Sequence, residues 1–203
     1  MSSKNEYLDK RILKSKKALK AAFLLLMQEK NFKDITITDI VQTADLNRGT
    51  FYKHYSFKEE LLNEIMDDVM TDFIASYREP YKNSETFEVS KLTSNAIKVF
   101  DHVQKHASFY KLIIHSEIFS GFPYKLCNVL KELSIQDLHV HENDAHIDRE
   151  LAASYSAYAI YGMIIEWIEA GFKYSSSYMA EQLLLIINRN TTVGVFKPSI
   201  ENT

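Results

Sequence analysis

The residues from Asn47 to Lys58 read NRGTFYKHYSFK, and their types suit one chemistry above others. Arg48 can donate two hydrogen bonds to O6 and N7 of a guanine. Gly49 has no side chain, so the backbone there can approach a groove closely. Thr50, Tyr52 and His54 can donate to phosphates, and Lys53 can serve a base edge or a phosphate. Lys58, one turn into the following helix, is placed for another phosphate. Asn47 is a good helix cap, and Phe51 and Tyr55 fall on the opposite, inward side. A helix of about eight residues is too short to be stable alone. A plain solvated hairpin does not require small, basic and aromatic groups on one exposed side.

Charge points the same way. Residues 1–60 carry 12 Lys/Arg against 8 Asp/Glu, a net of +4, and the remainder carries 12 against 19, a net of −7. A basic end on an acidic body suits contact with a polyanion.

Other chemistries are less well supplied. His102 and His106 stand at i,i+4 and could share a metal, and His139, His141, Asp144 and His146 cluster in a polar stretch. Neither set has an evident acidic partner, so solvated histidines are the expectation, with no metal and no cofactor. Cys127 is the one cysteine, which excludes an intramolecular disulfide and a multi-cysteine zinc site. Its apolar neighbours suggest an inert thiol. The chain has no Gly-rich phosphate loop, no nucleophile elbow and no HExxH. Glu59-Glu60 and Asp67-Asp68 diverge at i,i+1. No catalytic residue is expected, and the chain does not read as an enzyme.

Stepping out from these residues, the elements that must hold them read as all-α. Leu8, Ile12, Leu19, Phe23 and Leu26 recur at helical spacing over 8–30. Thr36 with Asp39 forms a capping box for a helix over 37–44, although the alternating ITIT could also be a short strand. Asp45-Leu46 is a tight turn into the helix from Asn47 to about Tyr55, which gives helix-turn-helix spacing. Ser56 with Glu59 looks like a second capping box, opening a long helix over 57–79 that Pro80 stops. The free amides at the starts capped by Thr36 and Ser56 could hold phosphates. Further helices are expected through Val89–Val103, Ser108–Phe119, from Pro123, over 147–170 up to Gly171, and over 176–189.

Sparse Gly (5) and Pro (3) also disfavour an all-β fold. The apolar run AAFLLLM ends in Gln28-Glu29-Lys30 without a small-residue cleavage site, so it does not read as a signal peptide. No apolar run approaches the ~18 residues of a membrane span. A soluble, cytoplasmic protein with no membrane partner is expected.

The stretch ITITDIVQTADLNRGTFYKHYSFKEELL resembles the DNA-binding domain of the TetR family of bacterial transcriptional regulators, over about residues 10–62. The segment RGTFYKHYSFKEEL is highly specific to that family. Glycine is more usual where this chain has Asp45, but Asp tolerates the left-handed conformation. YGMIIEWIEAGFKYSSSYMAEQLLLII is similar to a subgroup of the family common in Firmicutes. The resemblance implies a three-helix DNA-binding domain, 1–56, and a larger helical effector-binding and dimerisation domain, 57–203, linked by the helix at 57–79. It places DNA contacts at Thr36, Thr38, Arg48, Gly49, Thr50, Tyr52, Lys53, His54 and Lys58. It also implies an effector pocket, for which Phe100, Tyr155, Tyr158 and Glu166 are the candidates.

The helix over 147–170 is apolar on two sides. Leu151, Tyr155, Tyr158, Gly162 and Ile165 form one stripe, and Ala153, Ala157, Ile160, Ile164 and Trp167 another. One face would meet the core and the other a second subunit, with the 176–189 helix beside it. A homodimer with two recognition helices one DNA turn apart would read a near-palindromic operator. The expected function is a regulator, most plainly a repressor released by a small molecule. Two alternatives stay open: an all-α enzyme or small-molecule carrier, and a helix-turn-helix module that binds protein.

Overall fold

The computed structural model describes residues 2–82, 92–115, 121–137 and 147–188, and every regular element among them is helical. The first helix, α1, spans Ser2–Glu29 and buries Leu19, Phe23 and Leu26, spaced three or four apart. A one-turn 3₁₀ segment, Phe32–Asp34, leads to α2, Ile37–Thr43. The capping box is present: Thr36 Oγ1 accepts from the Asp39 amide at 3.1 Å, and the Asp39 carboxylate accepts from the Thr36 amide at 2.8 Å. The ITIT stretch is thus a helix start, not a strand.

The turn after α2 is a Schellman arrangement. The Leu46 amide donates to Val41 O at 2.8 Å and the Asp45 amide to Gln42 O at 3.1 Å. Asp45 takes φ 52° to make this possible. Next, α3 covers Arg48–Tyr52, with Asn47 Oδ1 accepting from the Thr50 amide at 2.8 Å. This helix is shorter than the expected run to Tyr55. Its last turn tightens because the His54 amide bonds to Phe51 O, three residues back, rather than four.

The linking helix, α4, spans Lys58–Arg78, about 32 Å at 1.5 Å per residue. Leu62, Ile65, Val69 and Phe73 are buried along it. Its start departs from expectation. Phe57, not Ser56, is the N-cap, and Glu60 rather than Glu59 reaches back, accepting from the Ser56 amide at 2.6 Å. Pro80 lies in the 3₁₀ turn Glu79–Tyr81 that ends it.

In the body, a 3₁₀ turn, Ser94–Ala96, precedes α5, Val99–Lys105, then α6, Ala107–His115, α7, Phe122–Asp137, α8, Arg149–Glu169, and α9, Ser176–Ile187. The helix expected from Val89 to Val103 begins only at Val99, because Ile97 is extended at ψ 110°. Val89 lies outside the described residues, as does the expected continuation of α6 to Phe119. Gly171, at φ 69°, ends α8 with a second Schellman turn: the Phe172 amide donates to Trp167 O at 2.9 Å. Trp167 Nε1 then donates to Tyr174 O at 2.9 Å, which locks the loop into α9.

One hydrophobic cluster runs from Leu19, Phe23 and Phe51 past Phe73 on α4 to Phe100, Trp167 and Leu183. Polar ties flank it on both halves of α4. Lys16 and Lys20 of α1 pair with Glu64 at 2.8 and 2.6 Å. Arg78 holds Asp137 of α7 with two bonds of 2.8 and 3.1 Å, the forked geometry that suits a guanidinium. No helix among the described residues is long and apolar enough to cross a membrane.

Candidate nucleic-acid interface

The short helix α3 is held by its inner side and free on its outer one. Phe51 is fully buried and Tyr55 nearly so, with their rings 5.6 Å apart. Arg48, Gly49, Tyr52 and Lys53 are exposed, Thr50 and His54 half-buried, and Thr36 and Thr38 exposed at the start of α2. Burying an aromatic pair offsets the poor intrinsic stability of a five-residue helix.

Local contacts pre-set the outer groups. Arg48 Nη2 donates to Tyr52 Oη at 3.2 Å, and its guanidinium lies 5.6 Å from the Tyr52 ring centre, an arrangement that favours the cation over the ring face. Thr50 Oγ1 donates to Asn47 Oδ1 at 2.9 Å. A Cβ added at Gly49 would meet only Asn47 Oδ1, at 3.4 Å. The fold itself therefore places no demand for glycine there. Burial, with Lys16 and Lys53 nearby, lowers the His54 pKa, so at neutral pH the ring offers a hydrogen bond rather than a charge.

Lys58 has protein partners that its spacing did not suggest. Its ammonium donates to Phe32 O at 2.5 Å, Ile35 O at 2.7 Å and Lys33 O at 3.3 Å, and lies 4.4 Å from the Phe32 ring centre. Phe32 O also accepts from the Ile35 amide at 3.3 Å, and Lys58 is the charged donor that gathers the carbonyls of this turn. The expected phosphate-binding helix starts are changed too. The amide of Ser56 is taken by Glu60 and that of Thr36 by Asp39, and each carboxylate disfavours an incoming anion. A basic group the sequence did not single out stands nearby. Lys10, Arg11 and Lys14 of α1 line a depression of about 580 Å³ with Ala44, Asp45 and Leu46. Only the fold shows that α1 brings these charges beside the turn.

In the body, the effector-pocket candidates lie apart from one another. Phe100 is fully buried, its ring 5.8 Å from that of Trp167. Tyr155 and Tyr158 are 79% and 57% exposed, and Glu166 is exposed. None of the four lines either described cavity. The helical rotation of α8 turns Ser156 and Ile160 toward the cavity and carries Tyr155, Tyr158 and Glu166 outward. That cavity holds about 200 Å³ and is lined mainly by Ser76 and Tyr77 of α4, Ile97, Ser156 and Ile160 of α8, and Leu183 and Leu184 of α9. Of the two apolar stripes of α8, the one with Leu151, Tyr155 and Tyr158 lies outward, and Ala153, Ala157, Ile164 and Trp167 of the other are buried. Leu151 is 71% exposed, and Ile186 and Ile187 of α9 are exposed as well.

The histidine expectation also changes. His102 is buried, not solvated. Asp72 Oδ2 on α4 lies 2.9 Å from His102 Nδ1, 2.9 Å from His106 Nε2 and 2.9 Å from Lys105 Nζ. Burial lowers the His102 pKa to about 4, despite the carboxylate beside it. The acidic partner lies 30 residues upstream of His102, so no local spacing could reveal it. His139, His141, Asp144 and His146 lie outside the described residues.

This chain is similar to known regulators over both halves. Residues 18–65 match the family described as "Bacterial regulatory proteins, tetR family", and residues 90–189 match a "Transcriptional regulator C-terminal region". The HTH-type transcriptional regulator YxbF of Bacillus subtilis (strain 168) is 26% identical over 191 residues, which cover 91% of this chain and 47% of that protein. The chain thus spans about half the length of that relative. The transcriptional repressor KstR2 of Rhodococcus jostii (strain RHA1) is 22% identical over 80% of this chain and 83% of its own length. The structure of the dihydroxyacetone kinase operon activator DhaS shares the fold, with a TM-score of 0.58 at 22% identity, over 85% of this chain and 93% of that one. The matched families are transcription regulators rather than enzymes. With its capped helix-turn-helix, its exposed Arg48-Gly49 helix start and a body whose described elements are all helical, this chain belongs to the TetR family of bacterial transcriptional regulators.

Proposed function

We propose that the protein binds a near-palindromic operator as a homodimer, represses transcription there, and is released by a small-molecule effector. The observation that carries the reading is α3: an exposed Arg48-Gly49 start on a helix whose inner side is fixed by Phe51 and Tyr55. Arg48 reads a base edge, Lys53 serves a base or a phosphate, and Thr36, Thr38, Thr50, Tyr52 and His54 position the backbone. Lys58 acts indirectly, by fixing the turn before α2. Residues 1–56 form the DNA-reading unit and 57–203 the body.

The exposed stripes of α8 and α9 support dimerisation. Leu151, Tyr155 and Tyr158 on one helix and Ile186 and Ile187 on the other form an apolar surface of the kind that marks an interface. Exposed Gly162 lets a partner helix approach closely. The effector site is the cavity at the C-terminal end of α4. At about 200 Å³ it is below the ~300 Å³ of common ligand clefts. An apolar ligand with one or two polar groups would widen it by moving α4, α8 or α9, and a ligand that prefers the widened state shifts the spacing of the two α3 helices.

Selection of bound genomic fragments followed by footprinting tests this reading. A protected, near-symmetric site with two half-sites about one DNA turn apart is the expected outcome. Fragments with no common sequence would defeat it.

A further inference from the structure

We propose that Asp72, His102 and His106 bind one divalent transition-metal ion of the zinc class at the contact between α4 and α5. Their three ligand atoms, Asp72 Oδ2, His102 Nδ1 and His106 Nε2, lie within 4.8 Å of one another. Tetrahedral ligands at about 2.0–2.2 Å from zinc stand about 3.3 Å apart. The carboxylate oxygen is 2.9 Å from each imidazole nitrogen, so these two pairs must open by only a few tenths of an ångström, while the two imidazole nitrogens, within 4.8 Å of each other, settle to the same separation by side-chain rotation. Two imidazoles and one carboxylate suit zinc, cobalt or nickel. Calcium and magnesium require mostly oxygen donors.

The surroundings are those of a built site. The other ring nitrogen of His102 is 3.0 Å from the Tyr110 hydroxyl, inside the core, which fixes the ring as an outer partner fixes a metal-bound histidine. The Phe73 ring meets His102 edge-on at 5.5 Å. His106 closes the C-terminal end of α5, where the helix dipole favours a cation. It is 25% exposed, which leaves an entry path and open coordination positions.

The proton count balances without loss. The hydrogen-bond geometry suits the tautomers in which each ring donates to Asp72. On metal binding that proton passes to Nε2 of His102 and to Nδ1 of His106, and the Tyr110 hydroxyl changes from donor to acceptor. Lys105 is the competitor: its ammonium holds the same carboxylate oxygen, yet the side chain is 63% exposed and can swing away.

Such an ion would tie the linking helix to the body. On the regulator reading, it would therefore act as an effector. That consequence rests on the proposed function; the binding itself does not.

The test uses full-length protein stripped with a chelator and titrated with Co²⁺, read by visible absorption and then competed with Zn²⁺. One ion per chain is expected. His106→Gln should weaken binding by roughly tenfold or more, as loss of a ligand does, and Lys105→Ala should tighten it severalfold by removing the competing cation. His106 is only half-buried, so its variant should fold, and circular dichroism checks this. No cobalt spectrum at metal well above protein concentration would overturn the proposal. So would a spectrum unchanged by His106→Gln, which would place the ion elsewhere, for example on His139, His141 and His146. DNA affinity measured with and without Zn²⁺ is a separate reading. An ion that binds without changing it overturns the effector role and leaves the site standing.

Discussion

At Gly49 the fold and the function make different demands. A Cβ there has room inside the protein, and helical glycine costs about 1 kcal/mol relative to alanine. Gly49→Ala should therefore leave thermal stability unchanged or raise it by up to about 1 kcal/mol, while weakening operator binding. Equal losses of stability and binding would mean that glycine serves the fold. Lys58 makes the opposite prediction. Lys58→Met should destabilise the protein by about 1 kcal/mol, through loss of hydrogen bonds from a charged donor to part-buried carbonyls. The salt slope of DNA binding should not fall by the unit that loss of a phosphate contact gives; a drop of that size would restore Lys58 as a phosphate ligand. The capped helix start that exposes Arg48 and Gly49 was legible in the sequence because the Asn47 cap is local. Lys58 was not, because its partners lie 23 to 26 residues upstream.

Among the elements, the turn after α2 and the α1–α4 contact carry separable predictions. Asp45 sits at φ 52°, where glycine is less strained. Asp45→Gly should stabilise by about 0.5–1 kcal/mol and Asp45→Val should destabilise by at least as much, both readable in denaturant melts. For Glu64, burial pushes the carboxyl up, but bonds from Lys16 and Lys20 prevail and hold its pKa at about 2, below the ordinary 4.5. A depressed carboxyl contributes stability in full above pH 4.5 and loses it as pH falls toward 2. The stability gap between wild type and Glu64→Gln should thus be about 1 kcal/mol at neutral pH and close over that window. A gap that persists at pH 2 would contradict the pairing. Helix periods, the Thr36 cap and the Gly171 stop were readable because each lies within one turn of its partner. The start of α4 falls one residue later than the Ser56-Glu59 pattern predicts, because Glu60 rather than Glu59 accepts from the Ser56 amide. The break at Ile97 has no strong local breaker in the sequence.

For the whole molecule, periodicity separated the two stripes of α8 but could not say which faces a cavity. That depends on how α4, α8 and α9 meet, and it sent Tyr155 and Tyr158 to the outer surface. Tyr155→Glu should accordingly shift the protein from dimer to monomer in sedimentation, with little loss of helicity. A dimer of unchanged affinity would move the interface elsewhere. Base reading by α3 is tested by binding to the selected operator duplex by wild type and Arg48→Ala at about 50 and 200 mM salt. Wild type should bind tightly, weaken steeply with salt and prefer the operator to a scrambled duplex, with that preference reduced by about 1–3 kcal/mol in the variant. If Arg48→Ala keeps the full preference for the operator, α3 does not read DNA as described here.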